Sequence, residues 1–458
     1  RSNLSPGVWS ERLAARLVTA GTEIYVVRVR TRQMHTPALS TSQVLCLNYE
    51  DRVSELAHSL SKFDASASGA TDSNTTLIGR VCREACSAKL HKESISIETT
   101  EKRFHVDVSK LGTCSLFPGQ LVVVRGSLCN ARTIVATSID KPTFPLTTTP
   151  NHVHNIQRVH VDQTAPPTVW VAAGPYTASM NLNYTPLQNL LEAVKTSAPD
   201  ILVLCGPFVD TKHPAVAGNH LGIDDSESRL DVDAHTLFMA HFSWRLEELI
   251  EGNKLKTRVV IVPAISDACC ERIYPQASID NRRSFPSTIP SWDDEIPVGS
   301  LELPACVTSL PNPAMFQVND VLVGVSSTDI LFDLSHEELF FCCKDFNGSS
   351  GSRVVRLASH VIDQRSFYPL SPPGLALDIR SCEHLKMRRV PHLLLLPSKL
   401  APFAQQTSTT LIVNPGYLTK GTNTGMIAKI VFNTSTASML NSECCRVADL
   451  AHVEIVRI

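Results

Sequence analysis

The sequence predicts an α/β domain joined to a small all-β barrel, and three observations carry that expectation. Two apolar runs, Thr168 to Ala173 and Ile201 to Cys205, flank a helically patterned stretch from Pro186 to Thr196, and each run ends in Gly-Pro. This is a strand-helix-strand unit whose turns share one edge of a parallel sheet, where open α/β folds place their ligand sites. Upstream, five short strand-like runs lie between Leu77 and Asp140, the density expected of a small barrel. Between that region and the N-terminus, Ala65 to Ser73 is small and polar, buries nothing, and marks a boundary. At 458 residues the chain has room for two or three domains. With 43% apolar and 19% charged residues and a formal charge of -2, its composition is that of a globular protein with no overall bias toward a polyanion.

Residues 1–72 form an N-terminal segment with a helix expected from Val44 to Lys62, where Val53, Leu56, Ala57 and Leu60 share a face, followed by a linker from Ser66 to Asn74. Residues 73–145 hold the strands Leu77 to Val81, Ser94 to Glu98, Phe104 to Val108, Leu121 to Gly126 and Thr133 to Thr137. The turn Phe117-Pro-Gly-Gln120 feeds the fourth of these, as at the corner of an OB-type barrel, and Phe104 and Phe117 read as core positions. Residues 146–167 read as a connector; Lys141 to Pro167 carries five prolines and the pair His152 and His154. From residue 168 to 458, α/β alternation takes over. Further strands are expected at Arg258 to Val262, Val321 to Ser326, Pro391 to Leu396, Leu411 to Val413 and Met426 to Phe432, with a second helix from Asp233 to Ile250. Leu187, Leu190, Leu191 and Val194 stripe the first helix, and Leu237, His241, Trp244 and Leu249 the second. Pro286 to Pro313, rich in proline and acid, reads as a surface excursion.

The strand ends invite comparison with a two-metal phosphoesterase, which needs carboxylates, histidines and an asparagine from several corners to hold two cations and activate a bridging water. Each corner departs from that requirement. The first offers Gly174-Pro175-Tyr176 in place of Asp-x-His. The second offers Gly206-Pro207-Phe208-Val209-Asp210, where only Asp210 keeps a ligand type, and the third Pro263-Ala-Ile-Ser266-Asp267, where only Asp267 does. The last, Asn414-Pro415-Gly416-Tyr417, lacks His-x-His. Gly174, Pro175, Tyr176, Gly206, Pro207, Asp210, Ser266, Asp267, Asn414 and Pro415 therefore delimit a candidate site that has lost its ligands, with no catalytic, cofactor-binding or metal residue expected. Asp210 and Asp267 are expected to hold backbone amides, as loop carboxylates commonly do.

Other metal-like groupings are weak. His152 and His154 lack a third ligand, as do His213 and His220; Cys82 and Cys86 with His91 make half a zinc site inside a hairpin. The 14 cysteines show no paired C-x2-C arrays, and the pairs Cys269-Cys270, Cys342-Cys343 and Cys444-Cys445 are adjacent, so reduced thiols in a cytosolic or nuclear protein are expected. No apolar run approaches the ~20 residues of a membrane span. Arg1 replaces an initiator methionine, which leaves open an N-terminal part beyond it.

Taken in order, Gly-Pro-Tyr at 174, Gly-Pro-Phe-Val-Asp at 206, Pro-Ala-Ile-Ser-Asp at 263, Ser327-Thr-Asp-Ile-Leu-Phe332, Phe367-Tyr-Pro-Leu-Ser-Pro-Pro373 and Asn414-Pro-Gly-Tyr-Leu-Thr-Lys-Gly421 resemble the B subunits of DNA polymerase alpha-primase. The resemblance runs from about Leu77 to Ile458. It implies an OB-fold barrel joined to an inactive calcineurin-like metallophosphoesterase domain, and a nuclear, non-catalytic accessory subunit in the initiation of DNA replication. The implied partners are the C-terminal zinc module of the polymerase alpha catalytic subunit and, within the complex, the primase subunits. Direct DNA binding is expected to be weak: residues 75–145 carry ten Lys and Arg against six Asp and Glu, but few aromatics. No membrane, cofactor or small-molecule substrate is implied. The alternatives are a B subunit of polymerase delta or epsilon, a residual metal-dependent phosphoesterase, and an isolated single-strand DNA binder.

Overall fold

The computed structural model describes residues 75–83, 89–100, 102–142, 157–159, 167–218, 221–224, 229–279, 301–319, 321–342, 352–407, 410–432 and 451–458. The expected helix from Val44 to Lys62, the linker from Ser66 to Asn74, the pair His152 and His154, His220, Cys86, Cys343 and the pair Cys444-Cys445 lie outside them.

The barrel is built from β1 (Thr75–Arg83), β2 (Ile95–Glu98), β3 (Arg103–Asp107), β5 (Leu121–Asn130) and β6 (Thr133–Asp140), while β4 (Thr113–Leu116) leaves it. Pairing runs β1-β2-β3-β6-β5 and closes through β1 and β5. The pairing of β3 with β6 is parallel and the rest are antiparallel. Alternate residues point inward, so Val81, Ile95, Ile97, Val106, Val122, Val124, Ile134 and Ala136 fill the interior. The sequence pattern ends the fourth predicted strand at Gly126; instead, β5 bends there, with a register shift against β6, and continues to Asn130.

Beyond the barrel, β7 (Gln157–Val159) lies in the stretch read as connector, yet it pairs with β14 (Ala314–Val318) as the edge of a sheet. The strand-helix-strand unit forms as β8 (Thr168–Ala173), α1 (Thr185–Ser197) and β9 (Ile201–Cys205), with β8 and β9 parallel. A small hairpin of β10 (Gly222–Asp224) and β11 (Arg229–Asp231) precedes α2 (234–252). Within α2, Met239–Ser243 and Glu248–Gly252 are wound as π-helix. Then follow β12 (Arg258–Val262), β13 (Val307–Ser309), β14, β15 (Val321–Val325), α3 (Ile330–Glu337), β16 (Leu339–Cys342), α4 (Arg353–Asp363), β17 (Leu393–Leu395), β18 (Phe403–Gln406), β19 (Leu411–Asn414), the short pair β20 (Thr419–Lys420) and β21 (Asn423–Thr424), β22 (Met426–Phe432) and β23 (Ala451–Arg457).

Over the described residues these strands make two six-stranded sheets, β13-β12-β9-β8-β22-β23 and β18-β19-β17-β15-β14-β7. Strand periodicity sorts each residue to a face. On the first sheet Ala172, Leu202, Leu204, Val259 and Ile261 face the buried stripes of α1 and α2. Their neighbours Val171, Ala173, Val203, Cys205, Val260 and Val262 face Val323, Val325, Leu393, Leu395 and Val413 of the second sheet. The outer face of that sheet, through Leu394, Leu396 and Ile412, packs on Ile330, Leu331 and Leu334 of α3 and Leu357, Ala358 and Val361 of α4. The layers are helix, sheet, sheet, helix, and the strands buried on both faces explain the unbroken apolar runs in the sequence. The end of the expected surface excursion belongs to this core: Leu301, Leu303 and Leu310 are buried, because they return the chain under α2 and into β13 and β14. No described helix is long and apolar enough to cross a membrane.

Candidate functional site

The parallel order of β8, β9 and β12 brings three of the four corners side by side. Gly174 N–H donates to Cys205 O at 2.8 Å, and Gly206 N–H donates to Val262 O at 2.7 Å. At both positions glycine is required by close approach: a Cβ on Gly174 would overlap the Pro207 carbonyl oxygen, and one on Gly206 the Asp267 carboxylate. Pro175 is tied by Thr419, whose hydroxyl donates to its carbonyl at 2.7 Å. Tyr176 faces the interior, its hydroxyl donating to Ala172 O and Cys205 O at 3.2 and 3.0 Å and its ring stacked on Phe208. Burial raises its phenol well above the ordinary value.

Asp267 is the centre of this edge. Its side chain is buried, and it accepts from the backbone amides of Phe208, of Val209 at 3.2 Å and of Ala264 at 2.7 Å. Burial pushes its carboxyl up to about 7; the three amides act in the opposite direction, and Asp210 adds to the rise. Asp210 accepts from Lys212 N at 3.0 Å in an Asx turn and bridges Asp267 through the backbone, while Thr211 N–H donates to Ser266 O. His213 caps a short helix, Nδ1 accepting from Ala215 N at 3.2 Å, and its Nε2 lies 3.0 Å from Ala178 O. Cys82 lies 3.6 Å from Glu98 Oε2, and His91 is exposed.

The fourth corner comes from the other sheet. Asn414 is fully buried; its Oδ1 accepts from Ser398 N and Gly416 N at 2.9 Å each, and its Nδ2 donates to Leu400 O and Ala401 O at 3.2 Å each. Its own amide bonds therefore go to the loops after β17 and β19, and Pro415 turns the chain toward Tyr417 and Leu418, whose N–H donates to Ala173 O. Two polar groups that periodicity did not single out tie loops together at this edge. Asp329 caps α3 at Phe332 N and also accepts from Lys399 N at 2.8 Å and the Tyr417 hydroxyl at 3.1 Å. Asn312 holds Gln276 Oε1 at 2.9 Å, Ser327 N at 3.2 Å and Ser326 Oγ at 3.3 Å. The available signal was Asn312 beside Pro313, a polar residue between apolar runs. Among the described residues no group of three or more His, Cys, Asp or Glu is arranged to hold a metal ion.

Comparison with known proteins bears on the whole of this architecture. Residues 169–405 match the family model of the DNA polymerase alpha/epsilon B subunit, and residues 47–141 match that of the OB domain of the DNA polymerase alpha B subunit. The chain belongs to the DNA polymerase alpha/epsilon B-subunit family. The DNA polymerase alpha B subunit of Schizosaccharomyces pombe is 30% identical over 80% of this chain and 61% of its own length. The Mus musculus protein of that name is 30% identical over 79% and 55%, and the Drosophila melanogaster one 28% identical over 75% and 49%. The chain thus spans about half the length of the curated relatives it matches.

In this B-subunit family member the OB domain is welded to the α/β sandwich. Strand β4 pairs antiparallel with β16 across the seam. The Gln364 side chain, at the end of α4, accepts from Leu121 N at 2.8 Å and donates to Leu121 O at 2.9 Å. Phe117 is fully buried, as its reading as a core position expects, and the core that receives it is the α3 and α4 cluster beside His360 rather than the barrel interior. The turn containing it points out of the barrel, so its side chain completes the neighbour. Ser115 donates to Glu338 Oε1 at 2.6 Å, and Arg356 grips Glu338 at 2.6 and 3.1 Å. Burial opposes ionisation of Glu338, yet the hydrogen bonds from His360, Arg356 and Ser115 prevail and hold its carboxyl down to about 2. Arg83 with Glu337 at 2.5 Å and Lys141 with Asp363 at 2.7 Å close the rim.

Proposed function

We propose that the chain is a nuclear, non-catalytic accessory subunit of DNA polymerase alpha-primase that acts through its surfaces during initiation of replication. On this reading the helix-sheet-sheet-helix domain is a calcineurin-like phosphoesterase whose site, marked by Gly174, Pro175, Tyr176, Gly206, Pro207, Asp210, Ser266, Asp267, Asn414 and Pro415, has been converted to structural use. The observation that carries the proposal is the engagement of the strand-end polar groups with the chain's own backbone. Asp267 serves three amides and Asn414 four backbone groups. A group committed in this way has few lone pairs left for a metal. Family membership, with an OB domain matched to that of the polymerase alpha member, supports the accessory role.

The partner proposed is the C-terminal zinc module of the polymerase alpha catalytic subunit, with primase held in the same complex and DNA contacted weakly or indirectly. A barrel fixed to the sandwich by a cross-seam sheet presents one rigid platform, which lowers the ordering cost of docking. The test is calorimetric titration of the chain with the isolated C-terminal module of the polymerase alpha catalytic subunit from the same organism, beside the delta and epsilon equivalents. Tight one-to-one binding to alpha alone is expected; selective binding to another module overturns the assignment. Metal analysis and a Mn2+-dependent ester hydrolysis assay address the catalytic alternative, which turnover abolished by Asp210→Ala would establish.

A further inference from the structure

Three loops meet at the surface over the strand-end corners. Ala178 O accepts from Asn181 N at 3.4 Å, which closes a turn over residues 178–181, and it accepts from His213 Nε2 at 3.0 Å. Ser179 N–H donates to Gly421 O at 3.1 Å, so the tip of the β20–β21 hairpin lies against the same turn. Asn183 N–H donates to Asn181 Oδ1 at 3.2 Å and fixes the exit. Met180 stands at the head of this turn, 78% exposed, and no other large apolar side chain among the described residues is as open. His213 leads directly into the short helix Pro214–Ala217, whose four side chains are all apolar and none of them buried. Leu182 and Val216 are half-buried and root the two loops in the core beneath α1 and α2. The rim is cationic: Lys212 and Lys420 are exposed, and neither pairs with a carboxylate among the described residues. The Asp210 carboxylate accepts the Lys212 amide, and its charge acts inward on Asp267, Tyr184 and Tyr417. A single exposed apolar side chain is ordinary, but here one stands on a hydrogen-bonded turn beside an all-apolar helical turn and two unpaired lysines.

We propose that the surface formed by Met180 and the helix Pro214–Ala217 docks an acidic amphipathic helix of a partner protein, whose apolar stripe covers Met180 and Val216 and whose flanking carboxylates meet Lys212 and Lys420. The apolar side chains supply the contact area, and the two lysines select for acid. The amides of Ser179, Asn181 and Asn183 and the carbonyl of Ala178 are already committed, so an occupant must satisfy its own backbone, as a helix does. Met180 and the residues of the short helix include no aromatic ring on which a base could stack, which disfavours single-stranded nucleic acid. A second copy of the chain is disfavoured as well, because a two-fold contact through this patch would bring like-charged lysines together. Because hydrogen bonds hold the turn in place, little ordering cost is left for docking. This inference goes beyond the accessory role and does not depend on which polymerase the chain serves.

The test is fluorescence anisotropy of the whole chain with a fluorescein-labelled, hydrocarbon-stapled helical peptide of about four turns, carrying a leucine stripe flanked by Glu. Binding in the range of about 1 to 100 μM is expected for so small a patch. It should weaken as salt rises from about 0.05 to 0.5 M, and weaken at least tenfold in Met180→Asp and in the double variant Lys212→Glu/Lys420→Glu. The same peptide with Lys in place of Glu should fail to bind the wild-type chain and should bind the charge-reversed one. Met180, Lys212 and Lys420 are exposed, so these variants should keep the wild-type circular dichroism melt. No binding up to about 1 mM, no loss in Met180→Asp or on charge reversal, or displacement of the peptide by oligothymidylate that itself binds more tightly would each overturn the proposal. So would a concentration-dependent dimer in sedimentation velocity that Met180→Asp abolishes, since the patch would then belong to a second copy.

Discussion

Replacing Asp267 by alanine tests the central physical claim about the strand-end edge. The substitution leaves the amides of Phe208, Val209 and Ala264 without their acceptor in a buried setting. Each buried unsatisfied donor costs about 1–3 kcal/mol. Removing a carboxyl whose ionisation burial already opposes returns part of that cost, so a net loss of about 3–5 kcal/mol is expected. Asparagine should lose less, about 1–3 kcal/mol, because one of its atoms still accepts while its amide nitrogen confronts an N–H. Asp210→Ala, which releases only the Lys212 amide in a solvent-accessible turn, should cost less than about 1 kcal/mol. A chain with a barrel and a sandwich need not unfold in two states. Urea titration should therefore be paired with amide hydrogen exchange read at Phe208, Val209 and Ala264. With m near 3 kcal/mol/M, the alanine variant should lower the urea midpoint by about 1–2 M. A midpoint within experimental scatter of wild type, or an equal effect of Asp210→Ala, would refute the assignment of Asp267 as a backbone staple. The pH dependence has a definite sign. The folded carboxyl titrates near 7, above its unfolded value of about 3.9. Its contribution is therefore fully present below about pH 4 and lost as pH rises through about 7. Asp267→Asn should lack that slope.

Gln364→Ala should strand the Leu121 N–H and C=O at the seam, cost about 2–4 kcal/mol, and speed hydrogen exchange at Leu121. Glu338 carries the opposite pH sign to Asp267. Its depressed carboxyl stabilises the seam above about pH 4.5, and that contribution is lost as pH falls toward about 2, so Glu338→Gln should flatten the acid limb of a stability profile. Asn414→Ala should cost about 3–5 kcal/mol by freeing two buried amides and two carbonyls, read as a lowered urea midpoint. Gly174→Ala should destabilise by about 1–3 kcal/mol through overlap with the Pro207 carbonyl.

Period and composition determined much of this protein. The runs 168–173, 201–205 and 258–262 are buried on both faces, so their unbroken apolarity marks them as central strands, and the 3.6-residue stripe of Leu187, Leu190, Leu191 and Val194 marks α1. The Gly-Pro corners fixed where the strand ends lie, because a Cβ at Gly174 or Gly206 has no room. Which groups close those ends was decided only in three dimensions. Asp267 meets Phe208 from 59 residues away, and Asp329 meets Tyr417 from 88; such pairings follow from sheet order, which local pattern does not encode. The seam was equally hidden. Phe117 reads as a core position, but turn context and alternation report that a side chain is buried and not which core receives it, and β16 pairs with β4 across more than two hundred residues. Local sequence sets which face of an element is apolar; only tertiary packing chooses the partner, since the hydrophobic effect that buries the face is non-directional.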